Sequence, residues 1–349
     1  MKNNILNTAL PLIYFGKIPS RGDFIRSSNN ILMDTFDNWI SLVLKNLSYN
    51  NPAQWKNDYD SLKPVNFAFF GKSSKHVLIG SMIKSYDSSG RRFPFLCGIS
   101  QKISSVPVSF EWLPLYFSDV WQATQSWLSD FISGQHSNQQ QLAHIIEADP
   151  NEKILNSNNT YINVKNNYDA DKNSYTEFLQ KIDLLKFAES LDGKFSTFKL
   201  KQRILATLML IEPLSDLDSF QNINKGLHFP VSNSKISTFK YQLQFWYDML
   251  LPFFKKRTNE ELSIFQYQNS ITAEHELGFN FDNKSDEMLY SILSNNSNEY
   301  LIDFKNTDWV NNNILNYPNF VKLSSYLDND DLKLTHLRNS LFENFNNRA

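Results

Sequence analysis

Apolar residues first recur at a helical period between Leu32 and Leu47, where Leu32, Phe36, Trp39, Ile40, Val43, Leu44 and Leu47 fall at i, i+4, i+7 and i+8. Ser28 to Asn30 stand ahead of that run as candidate caps. Upstream, Tyr14–Ile18 and Phe24–Arg26 read as short strands around Pro19-Ser20-Arg21-Gly22, a turn by its proline and glycine. Downstream, Asn66–Gly71, Val77–Tyr86 and Arg92–Ser100 read as three strands, the last two joined through Ser88-Ser89-Gly90. These connections are too short for parallel crossovers, so the strands must pair antiparallel. A second helical face carries Leu113, Phe117, Val120, Trp121, Thr124, Leu128 and Phe131. The order predicts an α/β (α+β) fold. Its core, over residues 1–134, is an antiparallel five-stranded sheet flanked by helices, in the profilin-like or longin-like layout.

Residues 135–175 turn to Gln, Asn, Asp and Lys with few apolar anchors, and read as a polar loop or insertion. Helical periodicity resumes at Phe178, Ile182, Leu185 and Ala188 and continues through Leu200–Ile211. Phe239, Leu243, Trp246, Tyr247 and Leu250 form a further helical face ahead of Pro252. Ser263–Tyr267 and Leu277–Phe281 read as strands and Asp286–Leu293 as a short helix. Residues 176–304 thus make a second, mostly helical half of the same domain. Residues 305–349 make a polar linker and a tail helix with Leu334, Leu337, Leu341 and Phe345 on one face. That helix either docks on the domain or binds a partner.

Composition sharpens the picture in three places. Among 349 residues, 28 Phe and 15 Tyr supply the area for a large core although the hydrophobic fraction is only 41%. A net charge of −2 provides no bulk field for nucleic acid or anionic lipid. The single cysteine, Cys97, excludes an intrachain disulfide and a cysteine zinc site, and its setting in FPFLCGI reads as a small buried hydrophobe. Asn7 and Pro11 interrupt the apolar N-terminal stretch, no small-residue cleavage site follows, and no 18-residue apolar run occurs. A soluble cytoplasmic protein without membrane insertion is the expectation.

Candidate chemistry is sparse. Gly71-Lys72-Ser73 copies the end of a phosphate-binding loop, but Asn66 stands where the motif needs glycine, and Phe67–Phe70 between them is strand-like. The six histidines fall in no metal-ligand spacing, and no G-x-S-x-G elbow occurs. The basic clusters Lys17/Arg21/Arg26 and Arg91/Arg92 are too small for a nucleic-acid footprint. No enzyme, cofactor or metal site is expected.

FGKIPSRGDFIR, from Phe15 to Arg26, resembles the N-terminal signature of the TagF family of type VI secretion system-associated proteins, through Gly16, Lys17, Ile18, Pro19, Arg21, Gly22, Asp23 and Phe24. Asp37 and Trp39 match the helix that follows it. Asp87, Gly90, Arg91, Phe93 and Pro94 match a second signature. A weaker third match runs from Phe245-Trp246 through SIFQY to LGF, so the resemblance covers roughly Pro11 to Phe304. It implies a cytoplasmic, non-enzymatic, post-translational repressor of secretion-apparatus assembly. Such a protein acts on a forkhead-associated scaffold of the Fha type and, here, stands alone without a phosphatase domain. The alternatives are a structural or accessory component of the apparatus, or an unrecognised hydrolase. The candidate interaction residues are Lys17, Pro19, Arg21, Gly22, Asp23, Asp87, Gly90 and Arg91. Two roles stay open for them. Either Arg21, Asp23, Asp87 and Arg91 pair across two hairpins while the glycines supply positive-φ turns, or the set touches a partner directly.

Overall fold

Strands that are apolar at nearly every position must be covered on both faces. Val65–Gly71 (β4), His76–Ile83 (β5) and the first five residues of Phe95–Lys102 (β6) are of this kind. The computed structural model describes residues 6–27, 31–71, 75–132, 161–166, 168–192, 195–212, 226–232, 236–254, 262–270, 272–281, 285–294 and 307–346. The remaining strands are Leu6–Pro11 (β1), Ile13–Gly16 (β2), Ile25–Arg26 (β3), Tyr161–Asn166 (β7), Leu227–Val231 (β8), Leu262–Gln268 (β9) and His275–Phe281 (β10). Eight of the ten form one antiparallel sheet in the order β3-β2-β6-β5-β4-β9-β10-β8. β1 and β7 pair in a separate two-stranded ribbon.

Alternation divides each strand between two cores. Phe67, Phe69, Leu78, Leu96 and Phe265 meet Phe36, Ile40, Val43 and Leu47 of Ile31–Asn50 (α1), beside Tyr59 of Trp55–Ser61 (α2) and Leu289 of Ser285–Ser294 (α8). Ala68, Phe70, Val77, Ile79, Phe95 and Cys97 meet Phe117, Val120 and Trp121 of Leu113–Ile132 (α3). Leu243 and Trp246 of Ile236–Phe254 (α7) belong to this second core. Burial pushes the Cys97 thiol well above its ordinary range.

The expected five-stranded antiparallel sheet is present as the contiguous block β3-β2-β6-β5-β4, and the second half of the chain extends it by three strands. The outer edge of β4 would otherwise be open, and β9 fills it from Asn66↔Gln266 to Phe70↔Leu262. The new edges are blunted. β3 has two residues, and β8 carries Pro230, whose carbonyl accepts a bond from the Trp246 indole at 3.0 Å.

Three further departures have local causes. Within the stretch read as a polar loop, β7 forms because Ile162 and Val164 alternate inward against Leu10 of β1, and Tyr168–Lys181 (α4) follows it. Residues 135–160 of that stretch lie outside the described residues. Helix α7 runs through Pro252 to Phe254, because a proline in the last turn removes only one ladder bond. The segment read as a polar linker holds Asp308–Asn313 (α9) and Pro318–Leu327 (α10), the latter opened by its proline and anchored by Phe320, Leu323 and Leu327.

The tail helix, Leu334–Asn346 (α11), buries Leu334, Leu337, Leu341 and Phe345 against the domain. A buried carboxylate fixes its rotation. Asp248 of α7 accepts bonds from Arg338 Nε at 2.5 Å, Tyr175 Oη at 2.9 Å and Gln244 Nε2 at 2.7 Å. Burial raises the Asp248 pKa, and the Arg338 guanidinium opposes that rise. Arg338→Met is expected to lower stability by about 2–3 kcal/mol in chemical denaturation, below the ~3–5 of a fully buried pair because the guanidinium keeps some solvent. A loss under about 1 kcal/mol would mean that apolar packing alone holds the helix.

Candidate interaction site

The signature residues gather at one end of the sheet because of register. Gly16 lies opposite Phe95 and Phe95 opposite Ile83, so β2, β6 and β5 end side by side. The two loops leaving them, residues 17–24 and 84–94, therefore touch. Gly16 has φ +135°, and a Cβ there would meet the Pro94 carbonyl oxygen at 2.2 Å, so only glycine fits this crossing. Gly90 has φ +78° in open space, a purely conformational requirement of its turn. Gly22 is not among the positive-φ glycines. The Ile18–Arg21 turn closes through the Arg21 N–H on the Ile18 carbonyl, so residue 22 already lies past it.

Asp87 is the centre of the site. Its side chain is fully buried, and both oxygens are used twice. Oδ1 accepts the backbone N–H groups of Ser89 at 3.0 Å and Arg91 at 2.9 Å. Oδ2 accepts Lys17 Nζ at 2.9 Å and Arg91 Nε at 2.6 Å. Arg91 Nη2 continues to the Gly22 carbonyl at 2.8 Å, and the Ser88 N–H donates to the Arg21 carbonyl at 2.8 Å. Burial by itself would raise the Asp87 pKa. The hydrogen bonds from Lys17, Arg91 and Ser89 outweigh it and hold the carboxyl well below the usual carboxylate range.

Aromatic rings floor the cluster. Phe15 and Phe24 stack at 5.4 Å, Phe93 meets Phe24 edge-on at 4.7 Å, and the Lys17 ammonium lies 4.9 Å from the Phe24 ring centre. Helix α2 buttresses the second loop. Tyr59 Oη donates to the Ser85 carbonyl at 2.9 Å, and Arg92 binds both oxygens of Asp60 at 2.9 and 2.6 Å. In α1, Trp39 packs edge-on against Phe69, and Asp37 accepts from Ser41.

Of the candidate residues, Lys17 and Asp87 are buried, Arg21 and Gly22 are half-buried, and Pro19, Asp23, Gly90 and Arg91 are exposed. The pairing differs from the expected one. The carboxylate held between the hairpins is Asp87, not Asp23, and the cations on it are Lys17 and Arg91. The cause is depth, since Asp87 turns under the second loop whereas Asp23 stands on the rim of the first. Sequence reasoning missed Lys17 as the partner, and also Ser85, Tyr59 and Asp60. The run Asp87-Ser88-Ser89-Gly90 does carry an Asx-turn signal that points to a carboxylate folded onto its own backbone.

The geometry is that of an antiparallel sheet whose two charged hairpins are stapled at one end. Residues 13–147 match the model of the TagF N-terminal domain, described as type VI secretion system-associated. Over these residues the chain is thus similar to the TagF N-terminal domain. The match takes in both signatures and does not reach the third. Among solved structures, PA0076 from Pseudomonas aeruginosa PAO1 is similar at 20% identity and a TM-score of 0.28, over 34% of this chain and 54% of that one. The chain thus spans about half the length of that relative. No curated protein matches the chain. No helix among the described residues is long and apolar enough to cross a membrane.

Because the Asp87 pKa lies below the ~3.9 of an unfolded aspartate, its contribution to stability is present above that value and is lost as pH falls below about 4. Asp87→Asn is expected to melt lower than the parent at pH 7, with the gap narrowing as acid protonates the parent carboxyl. A gap independent of pH would separate the staple from the charge. Lys17→Met is expected to lower the melting temperature more than Arg21→Ala, since only Lys17 is buried on the carboxylate.

Proposed function

We propose that this protein is a non-enzymatic regulator that restrains type VI secretion system assembly in the cytoplasm by binding a forkhead-associated scaffold protein. The observation that carries the reading is the match of residues 13–147 to a type VI secretion system-associated domain. The chemistry of the signature is consistent with it. Lys17, Arg91 and Asp87 of the signature are spent on one another, with Asp87 taking four hydrogen bonds inside the protein. Such a carboxylate is pinned in its charged form and has no lone pair left for a substrate.

Deleting the protein should raise secretion of a reporter effector, and the purified chain should form a complex with the scaffold in calorimetry. Unchanged or reduced secretion on deletion, with the chain found at fixed stoichiometry in the assembled apparatus, would instead make it a structural component.

A further inference from the structure

Two aromatic side chains of the signature hairpins are left in solvent on this otherwise stapled end of the sheet. Phe24 is 46% exposed and Tyr86 52% exposed. Phe24 is nevertheless held in place, stacked on Phe15, abutting Phe93 and capped by the Lys17 ammonium. An aromatic that is already ordered and half in water loses little conformational entropy when a partner covers it. Tyr86 is fixed through its chain. It bridges Arg92 across the second hairpin, next to the fully buried Asp87.

Cations outnumber carboxylates around these rings. Residues 17–26 and 84–92 contain six cations and two carboxylates, Asp23 and Asp87. Asp34 and Asp60 reach in to pair Arg26 and Arg92. An excess of two positive charges remains on this end of a chain whose net charge is −2. Arg91 is the most accessible of the paired cations, with 63% of its side chain exposed.

We propose that the Phe24–Tyr86 face of the two hairpins is a docking surface for an acidic protein segment, one that sets an apolar side chain on the rings and carboxylates on the surrounding guanidinium groups. Aromatic and arginine anchors inside a polar rim are the composition of interface hot spots. The partner's identity rests on the preceding proposal, whereas the chemistry of the face does not.

The test uses the full chain against two probes, the purified forkhead-associated scaffold and a synthetic peptide alternating glutamate with leucine. Phe24→Ala and Tyr86→Ala should each weaken binding at least tenfold, and raising salt should weaken it further. Tyr49→Ala, at an 85% exposed tyrosine on α1, should change nothing. Scaffold binding that survives both signature variants would overturn this inference and leave the proposed function standing. Peptide binding that is lost in both variants, with no scaffold binding by the parent, would uphold the face and overturn the proposed function. Absence of binding to either probe would overturn both. Phosphatidylglycerol vesicles captured by the parent, but not by the variants, would assign the face to a membrane surface and overturn the protein-docking proposal.

Discussion

The ladder between Asn66–Phe70 and Leu262–Gln266 is the constraint on which the rest of the structure depends. It joins strands from opposite halves of the chain and makes two incomplete sheets into one. Without it β4 would present an open edge lined by Phe67, Phe69 and Phe70, an arrangement that invites pairing with other chains. With it, helices from both halves find a continuous surface. α1 and α8 share one face, and α3 and α7 share the other. Closing a loop of such length costs only a little more entropy than closing one half as long, because the cost grows with the logarithm of length. The buried area gained on both faces is far larger.

A sheet fixed at β4 is also fixed at the far end, where function is proposed. Each strand's register is set by its neighbour, and a slip of one residue would turn every side chain to the wrong core. Phe95 is therefore opposite both Gly16 and Ile83, and the loops leaving these strands meet without further instruction. Once they meet, a carboxylate on one and a lysine on the other are buried together. Neither tolerates burial alone. The same device recurs in the second half. Asp183 caps Leu184–Glu189 (α5) through the Lys186 N–H and also receives Lys333 from just before the tail helix. Asp248 receives Arg338 from within it. In each case a buried aspartate receives a cation from a segment distant in sequence, so each tie forms only when the fold is complete.

How far the fold was legible in the sequence follows from the range of the forces involved. Local signals carried well. The helical face from Phe36 to Leu47, the strand Val65–Gly71 and the Ser88-Ser89-Gly90 turn are written in neighbouring residues, and each stands where its pattern placed it. The joining of the halves was not legible, because Asn66 and Gln266 give no local sign of their pairing. Short elements under polar cover were missed for the opposite reason. β7 is held by two inward residues, and α10 by three, too few to rise above their surroundings. In the site, the charged residues were identifiable but their partners were not. Lys17, Asp23, Asp87 and Arg91 look alike as sequence, and only the depth of each loop decides which carboxylate is buried.

That difference in depth separates two jobs within the two signature hairpins. Lys17, Asp87 and the two positive-φ glycines face inward or shape the backbone, and their chemistry is saturated by contacts within the chain. Phe24, Tyr86 and Arg91 face outward from the frame that the first group makes. The two jobs are not independent, because Lys17 lies against the ring of Phe24 while bonding Asp87, and Arg91 bonds Asp87 while showing most of its side chain to solvent. A partner that covered Phe24 and Arg91 would further desolvate the ion pair beneath them. Removing water strengthens the attraction between charges already paired while costing them their remaining hydration, so the pair beneath this face favours a partner whose own polar groups replace that water. A surface built this way is preorganised by the staple between the two hairpins, which gives a physical reason for both kinds of residue to occur within the same two short segments.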